Sequence, residues 1–235
     1  MEIYNENGQI LQDRPSFRSH MTKTFIWMFF GVMLTFAIAF GMNLNPVFLF
    51  NLLGTIPYAS ILIIIAQFAV VIVLSAKIHS LSIMTARILF LAYAVLTGLT
   101  FSILPFVYPI GTIFQAFLLA ALYFGSLAVI GLTTKRDLTK IASICMAALM
   151  AMIIYSVIAM FTGWGTDGLM YNIIGLLIFA GITAWDAQKI KKEYIQFETQ
   201  PELLNKLSVF SALQLYLDFI NIFLYILRIL ANSKD

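Results

Sequence analysis

The chain has few charged residues and many apolar ones. Asp, Glu, Lys and Arg make up only 11% of its 235 residues, whereas hydrophobic residues make up 61%. A soluble domain carries about 25% charged residues, so this composition excludes an ordinary soluble protein. It predicts an all-α polytopic membrane protein, because the apolar runs have the length of membrane-spanning helices.

Cysteine and histidine are nearly absent as well. The single cysteine, Cys145, lies in an apolar run, which excludes a disulfide framework. The two histidines, His20 and His79, lie in polar stretches outside the apolar runs, so we expect no general base beside an intramembrane serine. Motifs of soluble metal and nucleotide sites are missing too. We therefore expect no cofactor, no nucleic-acid partner and no enzymatic activity. We expect membrane lipid around the protein, and the sequence indicates no particular protein partner.

Uncharged runs divide the chain into membrane segments. They cover residues 24–76, 88–134, 141–166 and 168–185. One crossing takes about 20 residues, so each of the first two runs is long enough for two helices. Together with the segment around Asp218, this predicts seven helices in one transmembrane domain at 24–230, between an N-terminal segment at 1–23 and a tail at 231–235. The predicted spans are 24–44, 56–76, 88–108, 111–132, 141–162, 168–188 and 205–227.

Basic residues cluster in alternate connections. They precede the first span and recur between spans two and three, four and five, and six and seven, whereas the other connections have none. The positive-inside rule therefore predicts a cytoplasmic N-terminus. Seven full crossings place the C-terminus outside. Arg228 and Lys234 lie near that end and disfavour an outside location, so a re-entrant last segment is the alternative. The basic residues are Arg14, Arg18, Lys23, Lys77, Arg87, Lys135, Arg136, Lys140, Lys189, Lys191, Lys192 and Lys206.

Asp218 is the most unusual residue. It lies in LQLYLDFINIFLYIL, within an apolar stretch that has no other charge from Leu207 to Leu227. A carboxylate in mid-membrane costs roughly 2.5 to 3.5 kcal/mol on insertion scales and usually faces a protein interior or a hydrated cavity. We therefore interpret Asp218 as a functional residue.

Asp186 is the second unusual acid. It lies at the cytoplasmic end of the predicted sixth span, and Lys189 follows one turn later as a structural partner. Consecutive antiparallel helices bring Asp186 and Asp218 together only if their depths agree. Asp218 lies about 20 Å into its helix, whereas Asp186 lies much nearer the inner surface. Spacing alone leaves contact between the two acids open.

Two further patterns have structural interpretations. Residues 189–206 form the longest polar connection, which we interpret as a solvated cytoplasmic hairpin; we expect the sixth helix to extend past the membrane until Pro201 ends it. Three Gly-[Leu/Ile]-Thr triplets begin at Gly98, Gly131 and Gly181. We interpret these triplets as places where helices approach closely, because small residues allow short interhelical distances.

The blocks LQLYLDFINIFLYILRIL and GITAWDAQKIKKEY, with the seven-span layout, resemble the Bax inhibitor-1 family, also called the transmembrane Bax inhibitor motif family. The resemblance covers essentially the whole membrane region, and only these two blocks are specific. It implies a bundle of seven helices with the last one central, in a bacterial cytoplasmic membrane. Bacterial members of this family behave as pH-sensitive calcium leak channels, so the resemblance implies calcium as the permeant ion.

The resemblance also implies site residues. Asp186 and Asp218 match a carboxylate pair that acts as pH sensor and gate and that calcium contacts transiently. Trp185 stands where relatives usually have a tyrosine, so a phenol is missing there. Relatives place a basic residue near the cytoplasmic end of the second helix, and some have an acid within that helix. The candidate basic partners here are Lys77, Arg87 and Lys189, and the chain has Gln67 where an acid is expected.

The chemistry of such a pair is self-consistent. Two carboxylates within hydrogen-bonding range cannot both ionise cheaply, so they share a proton and titrate together. The shared proton locks the sixth helix to the seventh, and two like charges at higher pH bias the helices apart. This predicts a channel that is closed at acid pH and open at higher pH. Calcium takes about six to eight oxygen ligands, so the pair with carbonyls, water and Asn221 is a transient stop and not a tight cage.

Three other functions are weighed against this one. A proton- or ion-coupled secondary transporter is the main alternative, since intramembrane acids also serve proton relays. An intramembrane aspartyl protease needs a GxGD block, but Leu217 precedes Asp218 and the glycines are missing. A regulatory membrane partner without transport is the third class.

Overall fold

The computed structural model describes residues 16–48, 51, 58–78, 80–166 and 168–233. Over these ranges the chain is helical and contains no strand. Arg14, His79 and Lys234 lie outside the described residues, as do residues 1–15 of the predicted N-terminal segment and 234–235 of the tail.

Eight helices are present in the described part of the chain. They are α1 (Phe17–Asn43), α2 (Ala59–Lys77), α3 (Ile83–Phe101), the single turn α4 (Leu104–Val107), α5 (Ile110–Thr133), α6 (Thr139–Thr162), α7 (Leu169–Phe197) and α8 (Pro201–Asn232). By length and composition, six segments can cross a membrane: α1, α3 with α4, α5, α6, α7 and α8. The α2 helix is apolar but shorter, so the predicted count of seven spans is not confirmed.

Local sequence explains several helix ends. Ser16 caps α1 by accepting a hydrogen bond from the Ser19 backbone N–H at 3.2 Å, and Ser82 caps α3 in the same way through Thr85 at 3.0 Å. Gly163 follows α6 with a φ of +73°, a left-handed conformation that glycine adopts without steric cost.

The polar stretch at 189–206 forms a helical hairpin, because α7 continues through Phe197 and α8 begins at Pro201. Most of its residues are exposed or half-buried, whereas Glu193 is only 8% exposed. The predicted extension of the sixth helix beyond residue 188 is confirmed, but the helix ends at Phe197 and not at Pro201. Proline is tolerated in the first helical turn, where its missing N–H is not needed, so Pro201 starts α8.

The last helix lies at the centre of the bundle. It packs against α1, α3, α5 and α7, and most of its apolar stretch is buried. The α7 helix packs in turn against α5 and α6, and α1 packs against α3, which also contacts α2. Any displacement of α8 therefore changes its contacts with four neighbouring helices.

Small residues allow these helices to approach one another. The α5 helix buries Ala116, Ala120, Phe124 and Ala128, which are spaced four residues apart and therefore share one face. A Cβ atom on Gly131 would collide with the Ala184 carbonyl of α7. The other two triplet glycines also lie in close contacts: Gly98 lies against the Thr35 carbonyl and Gly181 against the Cys145 sulfur. The interpretation of the triplets as packing sites is confirmed.

Candidate functional site

Asp186 and Asp218 lie on helices that pack directly against each other. Their exposed fractions are only 7% and 3%, and the α7–α8 contact is the most extensive one in the bundle. The two carboxylates are near enough for their charges to interact, and Thr183 of α7 also lies beside Asp218. The Oδ1 atom of Asp186 and the Oδ2 atom of Asp218 are buried without a hydrogen-bond partner among the described residues. A proton shared between the acids is one way to satisfy such atoms.

The helix ends explain how two acids at different expected depths come together. Asp186 lies about three helical turns before the end of α7, and Asp218 lies almost five turns after the start of α8. Both helices extend beyond the predicted spans, α7 to Phe197 and α8 from Pro201. Once both helices extend into the polar stretch, they pack side by side over the region that contains both acids.

Other polar residues pair across the same interface. Ser211 of α8 donates a hydrogen bond of 2.7 Å to Glu193 of α7, and Lys189 of α7 donates one of 3.1 Å to Gln214 of α8. In each pair the α7 residue number rises as the α8 number falls, as antiparallel packing requires. We call this row the polar ladder; it consists of Asp186, Lys189 and Glu193 on α7 with Ser211, Gln214 and Asp218 on α8.

Sequence reasoning missed Glu193, Ser211 and Gln214. A signal for them was present: on α7 the ladder residues have the spacing i, i+3, i+7, and on α8 they have the same spacing. That spacing places residues on one helical face. The spacing alone does not show that the two faces meet, because it does not set the relative depth of the two helices.

Lys189 lies at the centre of this row. Its ammonium is 3.7 Å from the Glu193 carboxylate and within electrostatic range of Asp186. It also lies over the rings of Trp185 and Phe210, at 5.5 Å and 5.4 Å from the ring centroids. The expected pairing with Asp186 is thus replaced by a direct contact with Glu193, and the Trp185 ring faces the ammonium.

The other two candidate basic partners lie elsewhere. Lys77 is exposed at the end of α2, and the Arg87 guanidinium lies over the Trp27 ring at 5.1 Å from its centroid. Neither forms an ion pair with an acid in the described part of the chain.

Gln67 and Asn221, the two polar residues expected along the ion path, make contacts elsewhere. Gln67 of α2 donates a hydrogen bond of 3.1 Å to Thr97 of α3. Asn221 donates one of 2.8 Å to the Leu217 carbonyl of its own helix. Neither contact involves Asp186 or Asp218.

His20 precedes the predicted span at 24–44, as the sequence suggested, but it lies in the first turn of α1 and is not solvated. His20 is on α1 and only 1% exposed, and its Nδ1 atom lies 2.8 Å from the Ser208 hydroxyl of α8. A base therefore does lie beside a serine. Ser208 is itself buried and donates its proton to the Leu204 carbonyl at 2.9 Å, so in this arrangement the imidazole donates to Ser208 and does not activate it.

The connection between α5 and α6 is attached to α7 near the ladder. Gln188 donates to the Arg136 carbonyl at 2.8 Å and accepts from the Leu138 N–H at 3.0 Å. Outside the helices, Asp137 accepts a hydrogen bond of 2.7 Å from Lys192. This bond and further bonds from Thr139 lower the pKa of Asp137 to about 2.

The site has oxygen donors but no metal cage. No group of three or more His, Cys, Asp or Glu residues in the described ranges is arranged to hold a metal ion. The calcium contact expected at Asp186 and Asp218 would therefore rely on water and neutral oxygens for most of its ligands.

Comparison with known proteins identifies the family. The family described as inhibitor of apoptosis-promoting Bax1 matches residues 17–235. The inner membrane protein YbhL of Escherichia coli K12 is 37% identical over all of both chains, and a protein of Deinococcus radiodurans is 35% identical over 93% of this chain and 92% of its own. A protein of Rickettsia prowazekii is 33% identical over 93% and 91%. The chain is thus a membrane protein that belongs to the Bax inhibitor family.

Proposed function

We propose that this protein is a pH-sensitive calcium leak channel of a bacterial inner membrane, with a cytoplasmic N-terminus and with Asp186 and Asp218 as its gate. The observation that carries the proposal is the burial of these two acids on facing helices, each with an oxygen atom that has no described hydrogen-bond partner. Membership of a family with bacterial leak channels supports it.

The gate follows from the cost of burying like charges. At acid pH one proton between the carboxylates holds α8 against α7. When the pH rises and that proton leaves, two negative charges remain in a site of low dielectric constant, where their repulsion is stronger than in water. Because α8 packs against α1, α3 and α5 as well, its separation from α7 opens the centre of the bundle.

The open interface suits transient passage of calcium. The ionised carboxylates attract a divalent cation, and the hydroxyl and amide oxygens of Ser211 and Gln214 extend the row of oxygen donors along the same interface. An ion must bind well enough to enter and weakly enough to leave. A row of scattered oxygen donors meets that requirement better than a complete cage.

Reconstitution into vesicles with a calcium gradient tests the proposal. Calcium flux through the unmodified protein is expected to rise with pH, and Asp186→Asn and Asp218→Asn are each expected to abolish that dependence. Asp137→Asn is the matched control, because it removes an exposed carboxylate outside the ladder. Unchanged flux and unchanged pH response in both ladder variants would rule out the two-carboxylate gate.

The same vesicles distinguish a coupled transporter. Uptake of calcium or another solute against its gradient, driven by a proton gradient, would show that the same acids serve coupled transport and not a leak. Passive flux that stops when the calcium gradient is removed supports the leak.

A further inference from the structure

The charge balance of the polar ladder points to a role for its lysine. The ladder contains three acids and one basic residue. Lys189 lies three residues after Asp186 and four before Glu193 on one face of α7, where its ammonium contacts Glu193 and lies within electrostatic range of Asp186. It is the only cation among the ladder residues and lies on the cytoplasmic side of the acid pair under the proposed orientation.

The groups around this ammonium are those that bind cations. The Gln214 carbonyl oxygen accepts from it at 3.1 Å, and a Glu193 oxygen lies at 3.7 Å. The rings of Trp185 and Phe210 face it at 5.5 Å and 5.4 Å, within the range of a cation–π interaction. Carboxylate and amide oxygens are also the ligands that calcium uses. The lysine therefore occupies a position that a mobile cation can use.

We propose that Lys189 is a tethered cation that competes with calcium for the cytoplasmic end of the polar ladder and so determines how readily calcium occupies it. The expected change in calcium flux rests on the proposed leak, whereas the expected change in cation binding does not. A divalent ion that reaches Glu193 and Asp186 must displace the ammonium or pass beside it against charge repulsion. The ammonium lies over the rings of Trp185 and Phe210 at the end of a flexible stem, which allows such a displacement.

A merely structural lysine behaves differently. An ion pair between residues i and i+4 with a partly exposed lysine contributes little to stability, and the hydrogen bond to Gln214 then only joins α7 to α8. Removing a structural lysine lowers thermal stability and leaves cation affinity unchanged. Removing a tethered cation raises cation affinity, and an arginine in its place restores the original affinity because the charge is kept.

The experiment combines cation binding with flux. Lys189→Met keeps the apolar stem without the charge, Lys189→Gln is a second neutral variant, and Lys189→Arg keeps the charge. Lys192→Gln is the matched control, because Lys192 is on the same helix but pairs with Asp137 outside the ladder. The purified proteins are titrated with terbium, a luminescent substitute for calcium whose emission Trp185 sensitises at short range, and are then tested in calcium-loaded vesicles.

We expect the two neutral variants to bind terbium roughly threefold more tightly or better, as removal of a unit charge a few ångströms away predicts. The calcium concentration that gives half-maximal flux should fall by a similar factor. Lys189→Arg and Lys192→Gln should match the unmodified protein, and Trp185→Phe in the Lys189→Met background should abolish the sensitised emission.

Three results would overturn the inference. The first is unchanged terbium affinity in folded Lys189→Met and Lys189→Gln. The second is an equal gain in terbium affinity in Lys189→Met and Lys192→Gln, which indicates an effect of general surface charge. The third is a gain in terbium affinity in Lys189→Arg equal to that in Lys189→Met. If the unmodified protein and all variants fail to conduct calcium, the proposed leak fails, and terbium binding alone then decides the role of Lys189.

Discussion

The hydroxyl groups of Thr35 on α1 and Tyr216 on α8 lie 2.6 Å apart inside the bundle. Thr35 donates its own proton to the Ala94 carbonyl of α3 at 3.0 Å, so the phenol is the donor to Thr35. Tyr216 comes two residues before Asp218 and therefore points to the other side of α8. The last helix is thus held by polar contacts on both sides: to α1 and α3 through Tyr216, and to α7 through the polar ladder.

Tyr216→Phe tests the contact with α1. It removes the donor while leaving the ring packed, so we expect a loss of about 0.6 to 1.5 kcal/mol in the free energy of unfolding, the usual value of one hydrogen bond in water or membrane. Denaturant unfolding in detergent measures it. Tyr58→Phe is the control, since Tyr58 is 77% exposed. Equal stability of both variants would contradict a stabilising role for the Thr35–Tyr216 hydrogen bond.

Asp218→Asn tests whether the buried acid is a structural or a functional residue. An amide costs less to bury than an ionised carboxylate, so the variant should be at least as stable as the unmodified protein at alkaline pH. At pH 5 the two should agree within about 1 kcal/mol. Thermal unfolding in detergent at both pH values provides the measurement. A marked loss of stability at both would show that the carboxylate is a structural element.

Gly131→Ala tests the close approach of α5 and α7. The new methyl group would collide with the Ala184 carbonyl, which is backbone and cannot rotate away, so we expect a loss of about 1 to 3 kcal/mol. Gly125→Ala on the same helix meets no atom within 4 Å and should be neutral or stabilise by up to about 1 kcal/mol through helix propensity. Denaturant unfolding of both variants checks the difference, and equal effects would contradict the tight contact.

Asp137 provides a pH prediction outside the membrane helices. The hydrogen bonds from Lys192 and Thr139 lower its pKa from 3.8 to about 2. A lowered pKa means that the stabilising contact is fully present above about pH 4 and is lost as the pH falls through about 2. NMR titration of the labelled carboxyl group should give a midpoint near 2.

The flux measurement provides the functional side of the same prediction. Because Asp137 stays ionised throughout the range from mildly acidic to alkaline pH, Asp137→Asn should leave the pH response of calcium flux unchanged. A shifted flux profile in this variant would place part of the pH sensor in the α5–α6 connection.

The positions of the helices followed from the sequence more closely than their contacts did. The predicted spans at 111–132 and 141–162 lie within α5 and α6, because uninterrupted apolar runs limit where a helix crosses lipid. Within residues 189–206 the sequence predicts a largely exposed hairpin, but it does not predict which of these residues are buried, because burial depends on the partner helix. Glu193 is the example: its charge suggests exposure, and Ser211 on α8 provides the hydrogen bond that permits burial.

The sequence by itself determined that this protein is a helical membrane protein of the Bax inhibitor family and that Asp186 and Asp218 are its unusual acids, because hydrophobic runs and isolated charges are local properties of the chain. The tertiary structure alone decided which polar residues meet. The pairing of Glu193 with Ser211 and of Lys189 with Gln214, and the approach of Asp186 to Asp218, depend on how far α7 and α8 extend and on how they pack around the bundle. A helix determines which residues share a face, but only its neighbour determines what that face contacts.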